Sequence, residues 1–208
     1  MLADMKLTEY LDELASSSSV PGGGSAAALM GANAAALVSM VCNLTIGKKG
    51  YEDVADEIGE LLVESEKLRH EFVKLVDLDA QAFAEVMDAY KLPKTTEEEK
   101  HIRQGAIQAA TRKATQVPLR TIELAVELLS LAREAGEYGN KNVISDAGVA
   151  ATLGVAAMEA AWLNVQINLN PIVDERFKEE ILDRGEALLD EGEELYEDAI
   201  SIVESKIA

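Results

Sequence analysis

The chain has 208 residues, a formal net charge of −19, and 48% hydrophobic but only 4% aromatic residues. This length allows one large domain or two small ones, and the low aromatic content favours closely packed helices with a core of Ala, Val, Leu and Ile. The charge argues against nucleic acid and anionic membrane surfaces as partners, although a local basic patch would still bind a small anion.

The first part of the chain is predicted to contain a short helix, a glycine-rich turn and an apolar helix. A short amphipathic helix is predicted over residues 6–15, and the residues before it lack the apolar region of a signal peptide. The segment PGGGS precedes residues 26–46, which are almost wholly apolar. Cys42 is the sole cysteine, so we expect no disulfide, no CxxC metal site and a reducing, cytoplasmic location.

A long helix predicted over residues 51–91 carries the most informative side chain, Asp79. Its apolar residues recur at helical spacing: Leu68, Phe72, Leu75, Val76, Phe83, Val86, Met87 and Tyr90. At about 100° per residue, Asp79 falls at the centre of this stripe and Asp77 on the opposite face. A carboxylate on a core-facing stripe is costly unless it is partnered or protonated. Asp79 is therefore either a cap or pair for a neighbouring helix, or a tuned acid or base.

Three more helices are predicted in the second half of the chain. Thr96 and Glu99 form a capping box that opens a helix, which Pro118 kinks or breaks. A second apolar helix is predicted over residues 147–165, and Asp174 caps a last amphipathic helix. Because no stretch alternates with period two, the sequence predicts an all-α fold, a single-domain bundle of long antiparallel helices that uses all 208 residues.

The two apolar helices are long enough to raise the question of a membrane span. Both are rich in Ala, Gly and Val, both carry polar residues such as Asn33 and Glu159, and neither has an aromatic belt with flanking positive charge. We therefore expect no membrane insertion. Helices that are apolar on all sides are buried in a core or an oligomer interface, so the sequence predicts an obligate homodimer.

Two short segments beside the first apolar helix each have a structural and a functional interpretation. The first consists of Gly22, Gly23, Gly24 and Ser25. It is either a flexible linker or, because its N–H groups lie at a helix start, a site for a carboxylate or the polar edge of a heterocycle. Lys48 and Lys49 are either favourable charges at a helix end or a site for an anionic substrate tail.

A third polar segment precedes the second apolar helix. Ser145 or Asp146 is predicted to be its N-cap, or else both residues and Asn142 read the donor and acceptor groups of a ligand. No metal site is expected, because carboxylate-bridged di-iron bundles need two Glu-x-x-His pairs and Glu98 with His101 forms only one.

Seven segments, taken in order, resemble the cyclodeaminase/cyclohydrolase family of tetrahydrofolate enzymes. They are VPGGGSAAA (20–28), TIGKKGYE (45–52), VDLDAQAF (76–83), LPKTTEEEK (92–100), VPLRTIELA (117–125), NVISDAGVAA (142–151) and NVQINLNPIVDERF (164–177). Together they cover nearly the whole chain, and seven matches in family order are far more specific than any one of them.

The resemblance implies an all-α fold that dimerises, with folate bound near the subunit interface. It implies that Asp79, not Asp77, is catalytic, that the glycine run and residues 142–146 line the folate site, and that Lys48 and Lys49 meet the glutamate tail. The implied reaction hydrolyses 5,10-methenyltetrahydrofolate to 10-formyltetrahydrofolate without metal or organic cofactor.

Two alternatives remain at this point. A cyclodeaminase would release ammonia from formiminotetrahydrofolate, and the sequence favours the cyclohydrolase because it includes no transferase domain that would make a formimino group. A non-catalytic helical interaction protein would leave both the position of Asp79 and the glycine run unexplained.

Overall fold

The computed structural model describes residues 1–207, and every regular element in that range is helical. The helices are α1 (Leu7–Leu14), α2 (Gly23–Asn43), α3 (Ala55–Lys91), α4 (Glu97–Tyr138), α5 (Ile144–Leu169) and α6 (Glu175–Ile207). Short 3₁₀ turns precede α1, α3 and α5. The predicted all-α class is confirmed.

The core lies where α2, α4 and α5 meet. α2 packs against α3 and α5, and α4 packs against α3, α5 and α6. A single cluster of buried side chains draws on all six helices, but α1 contributes only Tyr10 as a fully buried residue. The first helix is therefore a thin cover on the bundle, anchored through one aromatic side chain.

Small residues allow the central helices to approach their neighbours closely. The ring of Phe72 on α3 lies against Gly31 of α2, where a Cβ atom would overlap it. Trp162 on α5 lies in the same way against Gly185 of α6. The low aromatic content predicted such packing, and the few large rings that do occur fit over glycines.

Two segments, Gly23–Asn43 and Lys141–Leu169, have the length and hydropathy of a membrane span. Within the molecule, 61% and 44% of their most apolar windows are buried, respectively. Because both helices pack against several others, they form the centre of a helical bundle and do not indicate a membrane protein.

The predicted caps of α4 and α6 are confirmed. The Thr96 hydroxyl accepts a hydrogen bond from the Glu99 N–H at 3.1 Å, and the Glu99 carboxylate accepts one from the Thr96 N–H at 2.9 Å. Before α6, Asp174 Oδ1 accepts from the Phe177 N–H at 3.1 Å. These side chains satisfy N–H groups that have no partner inside the helix.

The predicted cap of α5 is wrong. The helix begins at Ile144, and Val143 occupies the N-cap position without a side-chain hydrogen bond. Ser145 and Asp146 lie inside the first turn. The preceding turn is instead fixed by Asn140, whose side chain accepts a hydrogen bond from the N–H of Asn142.

Pro118 was predicted to kink or break the helix, and the structure excludes the break, because α4 continues through Pro118. Proline lacks an N–H, so the Ala114 carbonyl one turn earlier loses its usual donor. The side-chain nitrogen of Asn168, on α5, donates a hydrogen bond to that carbonyl at 3.2 Å. A residue fifty positions away therefore satisfies the group that the proline leaves free.

Candidate active site

A cavity of about 310 Å³ opens where the start of α2 meets α3, α4 and α5. Asp79 contributes the one charged side chain to its lining among the residues that the structure describes. A volume of about 300–1,000 Å³ is usual for small-molecule sites, and a few polar groups in an apolar lining fix the orientation of the ligand. The cavity is the best-formed candidate for a small-molecule site.

Ser25 holds the Asp79 carboxylate in place. The Ser25 hydroxyl donates to Asp79 Oδ2 at 2.9 Å and also lies 3.1 Å from the Val76 carbonyl. The backbone N–H of Ser25 bonds to the same carboxylate. Since Ser25 is fully buried in the first turn of α2, the carboxylate lies at the helix N-terminus, where negative charge is favoured.

Gly24 permits this approach. A Cβ atom at Gly24 would overlap Asp79 Oδ1, so only glycine leaves room for the carboxylate at this position. α2 begins at Gly23, which means that Gly23, Gly24 and Ser25 form the first turn of the helix rather than a flexible linker before it. The glycine run is therefore part of a rigid contact between α2 and α3.

Two opposing effects act on the proton affinity of Asp79. Burial raises the pKa of its carboxyl group above the ordinary value, and the hydrogen bonds from Ser25 partly offset this by favouring the ionised form. The net direction is upward. A carboxyl group with a raised pKa, held at a cavity, is suited to accept a proton and return it.

Asp77, which helical periodicity assigned to the face opposite the stripe, is only 7% exposed. Its Oδ1 accepts a hydrogen bond from the Leu2 N–H at 2.5 Å, because the 3₁₀ turn Leu2–Asp4 covers that face of α3. Asp77 holds the N-terminal segment and does not line the cavity.

The apolar stripe of α3 divides at Asp79. Before it, Phe72 and its neighbours are buried in the core, as predicted. After it, Phe83 and Tyr90 are 38% and 42% exposed and line the cavity. The guanidinium of Arg103 lies 5.4 Å from the Tyr90 ring centroid and fixes that ring from the outer side.

Polar groups that sequence reasoning did not assign lie opposite these rings. They are Thr111 on α4 and Asn164 and Asn168 on α5. The amide of Asn164 packs against Gly23, where a Cβ would lie 3.3 Å from its nitrogen. The sequence feature that could have identified the two asparagines is their spacing of one turn on an apolar helix.

Tyr10 is a further residue that was not predicted. Its hydroxyl is buried and has no hydrogen-bond partner within residues 1–207. Burial, followed by the nearby charge of Asp79, raises the pKa of Tyr10. Tyr10 therefore brings α1 close to Asp79 without lining the cavity.

The remaining predicted site residues lie at the other end of α2. They are Lys48, Lys49, Asn142, Ser145 and Asp146, of which only Asp146 is even partly buried. Hydrogen bonds from Asn140 to Leu44 and Thr45 hold the start of α5 at this end. The 21 residues of α2 separate its two ends by roughly 30 Å. Within one chain, the structure brings the glycine run to Asp79 but not these five residues.

Across residues 1–207, no three His, Cys, Asp or Glu side chains lie close enough together to hold a metal ion.

Comparison with solved structures identifies the class of protein. A crystal structure described as formiminotetrahydrofolate cyclodeaminase, from Thermotoga maritima, matches with a TM-score of 0.90 and 34% identity over 100% of both chains. The chain shares that helical fold over its whole length. A family model described as formiminotransferase-cyclodeaminase matches residues 6–187, and the chain belongs to this family. The resemblance seen in the seven sequence segments is confirmed.

Two relatives are named as enzymes. A methenyltetrahydrofolate cyclohydrolase of Methylorubrum extorquens is 46% identical over 207 residues, which cover 100% of both proteins. A formimidoyltransferase-cyclodeaminase of Rattus norvegicus is 37% identical over 183 residues, or 88% of this chain but 34% of that protein. The chain thus spans about a third of the length of the rat relative.

Proposed function

We propose that this protein hydrolyses 5,10-methenyltetrahydrofolate to 10-formyltetrahydrofolate, with Asp79 as general base and acid. The observation that carries the proposal is the half-buried carboxyl group, with its raised pKa, held at the cavity by Ser25. Identity of 46% over the full length to a methenyltetrahydrofolate cyclohydrolase supports the choice of substrate. We further propose a single domain over residues 1–208, no metal or organic cofactor, and a cytoplasmic location.

The proposed reaction needs one proton-transferring group. Water attacks the cationic carbon between N5 and N10, and the Asp79 carboxylate accepts a proton from that water. The resulting tetrahedral carbon carries a hydroxyl group. The C–N5 bond then breaks, Asp79 returns its proton to N5, and the hydroxyl loses a proton to solvent as the formyl C=O forms on N10. Asp79 ends in its starting state.

The charge of the site fits this substrate. A carboxylate beside the cationic amidinium carbon attracts it, and the rings of Phe83 and Tyr90 provide apolar surface in the same lining. Burial raises the pKa of Asp79, which brings the group closer to the neutral range where proton transfer in both directions is efficient.

A cyclodeaminase activity is the second candidate, and it is supported by the relatives whose names include that activity. In this reaction N10 attacks the formimino carbon and Asp79 protonates the departing ammonia.

To distinguish the two activities, purified protein is given each substrate separately, and loss of the methenyl chromophore and release of ammonia are followed against the uncatalysed rates. Methenyl hydrolysis is the expected result. Efficient ammonia release with background methenyl hydrolysis would assign the cyclodeaminase activity instead.

If the protein turned over neither substrate, the hypothesis of a non-catalytic protein would have to be tested next. A reduced folate should raise the melting temperature of a folate enzyme, since it binds the folded state only. If neither substrate is turned over and neither raises the melting temperature, a helical interaction protein becomes the better description.

We propose that the protein is an antiparallel homodimer built on the exposed apolar surface of α2 and α5, called here the α2/α5 face. Its members include Leu29, Met30, Leu37, Met40, Val149, Leu153, Leu163 and Ile167. α2 contains no charged residue, although the chain carries a net charge of −19. Two copies would repel each other over most of their surfaces, and this largely apolar face is where they would approach.

Such a dimer would bring the separated site residues together. Ile167 belongs both to the α2/α5 face and to the cavity lining, so the cavity opens at the edge of that face. In an antiparallel pair, the second copy would bring its own Lys48 and Lys49, with Asn142, Ser145 and Asp146, toward this opening. We propose that these lysines bind the glutamate tail of the folate held by the other protomer.

Mixed dimers test this arrangement. An Asp79→Asn variant and a Lys48→Glu/Lys49→Glu variant are purified, mixed under conditions that exchange subunits, and assayed below the KM. If a site takes Asp79 and the lysines from different protomers, random exchange restores about a quarter of wild-type activity, because half of the dimers carry one intact site. No recovery after verified exchange would show that the lysines act within one chain, whereas wild-type activity of the Lys48→Glu/Lys49→Glu variant before mixing would show that they do not act at all.

A further inference from the structure

Resting on the folate activity proposed above, we propose that Thr111, Asn164 and Asn168 form a recognition site for the pterin ring. The cavity holds one end of the substrate with the 2-amino-4-oxo edge of the pterin against these three side chains. The benzoylglutamate end points out of the cavity.

The two asparagines offer hydrogen-bond acceptors. The side-chain nitrogen of Asn164 donates to the Ala160 carbonyl at 2.8 Å, and that of Asn168 donates to the Ala114 carbonyl at 3.2 Å. A carbonyl only accepts, so each amide is oriented with its nitrogen toward the backbone. Both Oδ1 atoms are left without a donor from residues 1–207, and both side chains line the cavity.

Thr111 adds an unsatisfied hydroxyl to the same lining. It is 3% exposed, lines the cavity, and its Oγ1 has no hydrogen-bond partner in the described part of the chain. A buried hydroxyl without a partner costs free energy, and a ligand that bonds to it removes that cost. Thr115, one turn later, shows how a buried threonine hydroxyl in a helix is usually satisfied. Its hydroxyl donates a hydrogen bond to the Thr111 carbonyl at 2.9 Å.

This set of groups fits one end of the substrate and not the other. The pterin edge has adjacent N–H donors for two acceptors, and a carbonyl or ring nitrogen that would accept from the Thr111 hydroxyl. Its flat ring would pack on Phe83 and Tyr90. The glutamate end carries carboxylates, whereas the described lining contains no Lys, Arg or His.

The test compares Thr111→Val with Thr115→Val. The first change removes a hydroxyl with no partner, so the free protein should be as stable as wild type or more so. The second removes a bonded hydroxyl outside the cavity and should lower the melting temperature. Affinity is measured by calorimetry under anaerobic conditions for two fragments, 6-methyltetrahydropterin and para-aminobenzoylglutamate.

We expect Thr111→Val to weaken binding of the tetrahydropterin roughly tenfold and to leave binding of para-aminobenzoylglutamate unchanged. Asn164→Leu should behave in the same way, while Thr115→Val and the exposed Gln166→Leu should bind both fragments as wild type does. The KM for methenyltetrahydrofolate should rise more than kcat falls.

Two results would overturn the assignment while leaving the proposed activity in place. In the first, the wild type turns over methenyltetrahydrofolate, but Thr111→Val and Asn164→Leu bind the tetrahydropterin normally. In the second, these variants lose affinity for para-aminobenzoylglutamate instead. A wild-type protein that binds neither fragment and turns over no folate would overturn both proposals.

Discussion

At the carboxyl group of Asp79, burial and the Ser25 hydrogen bonds oppose each other. Burial raises the pKa and Ser25 lowers it, so removing the hydroxyl should raise the pKa further. The ionised form is the proposed base, so the rate falls as pH decreases through this pKa. Ser25→Ala should therefore move the acid limb of the pH–rate profile to higher pH.

The control for this change is Ser39→Ala. Ser39 is also buried on α2, but its hydroxyl bonds to Ser65 rather than to the site. The Ser39→Ala variant should be less stable than wild type, and its pH–rate profile should not shift. An unchanged or downward-shifted acid limb in Ser25→Ala would contradict the assignment of that limb to Asp79.

The contact between Gly24 and Asp79 gives a second prediction at the residue scale. A methyl group at Gly24 would overlap the carboxylate, so Gly24→Ala should displace Asp79 from Ser25. Overpacking of this kind costs about 1–3 kcal/mol, and we expect lower thermal stability together with at least tenfold lower kcat. Gly59→Ala on α3 is the control, since no atom lies within 4 Å of the added Cβ and activity should be retained. Wild-type kcat in Gly24→Ala would contradict the close contact.

At the scale of the helices, the caps that the sequence predicted correctly are those that neighbouring residues determine. The capping box of α4 and the cap of α6 needed only neighbouring residues, and both are present. The continuity of α4 through Pro118 depends on Asn168, far away in sequence, so no local pattern could reveal it. Helical periodicity identified Asp79 for the same reason, because it depends only on residues of one helix. It did not reveal that Asp77 is buried, because the turn that covers this face of α3 belongs to the N-terminus.

The capping box also gives a prediction at the element scale. Thr96→Ala removes the acceptor for the Glu99 N–H and should destabilise the protein by about 1 kcal/mol, measured by urea unfolding. Thr95→Ala is the matched control, because Thr95 contributes its backbone N–H rather than its side chain to Glu99. Equal losses in both variants would show that the hydroxyl does not stabilise the helix start.

For the whole molecule, the proposed dimer makes the α2/α5 face sensitive to charge. Leu163, which is 66% exposed on this face, would be buried between two copies, so Leu163→Glu should yield monomers in sedimentation equilibrium at micromolar concentration. Val63, equally exposed on α3 at 65%, lies outside the face, and Val63→Glu should remain dimeric. A wild-type monomer, or a Leu163→Glu dimer of unchanged affinity, would contradict the proposed interface.

At this scale the sequence was least informative about the site. Composition and periodicity predicted a helical bundle with apolar central helices, and the family motifs identified the glycine run. The roles of Thr111, Asn164 and Asn168 depend on which helices meet at the cavity, and this is a property of the folded chain alone.

Turnover of methenyltetrahydrofolate by Asp79→Asn and Asp77→Asn tests the central claim most directly. Asparagine keeps the shape of both side chains, and at position 77 its oxygen still accepts the Leu2 N–H. With each fold verified by circular dichroism, Asp79→Asn should lose about 10²–10⁴-fold in kcat, the usual contribution of a general acid–base group, while Asp77→Asn keeps most of its activity. A folded Asp79→Asn variant with near wild-type kcat, or equal losses in both variants, would contradict the account.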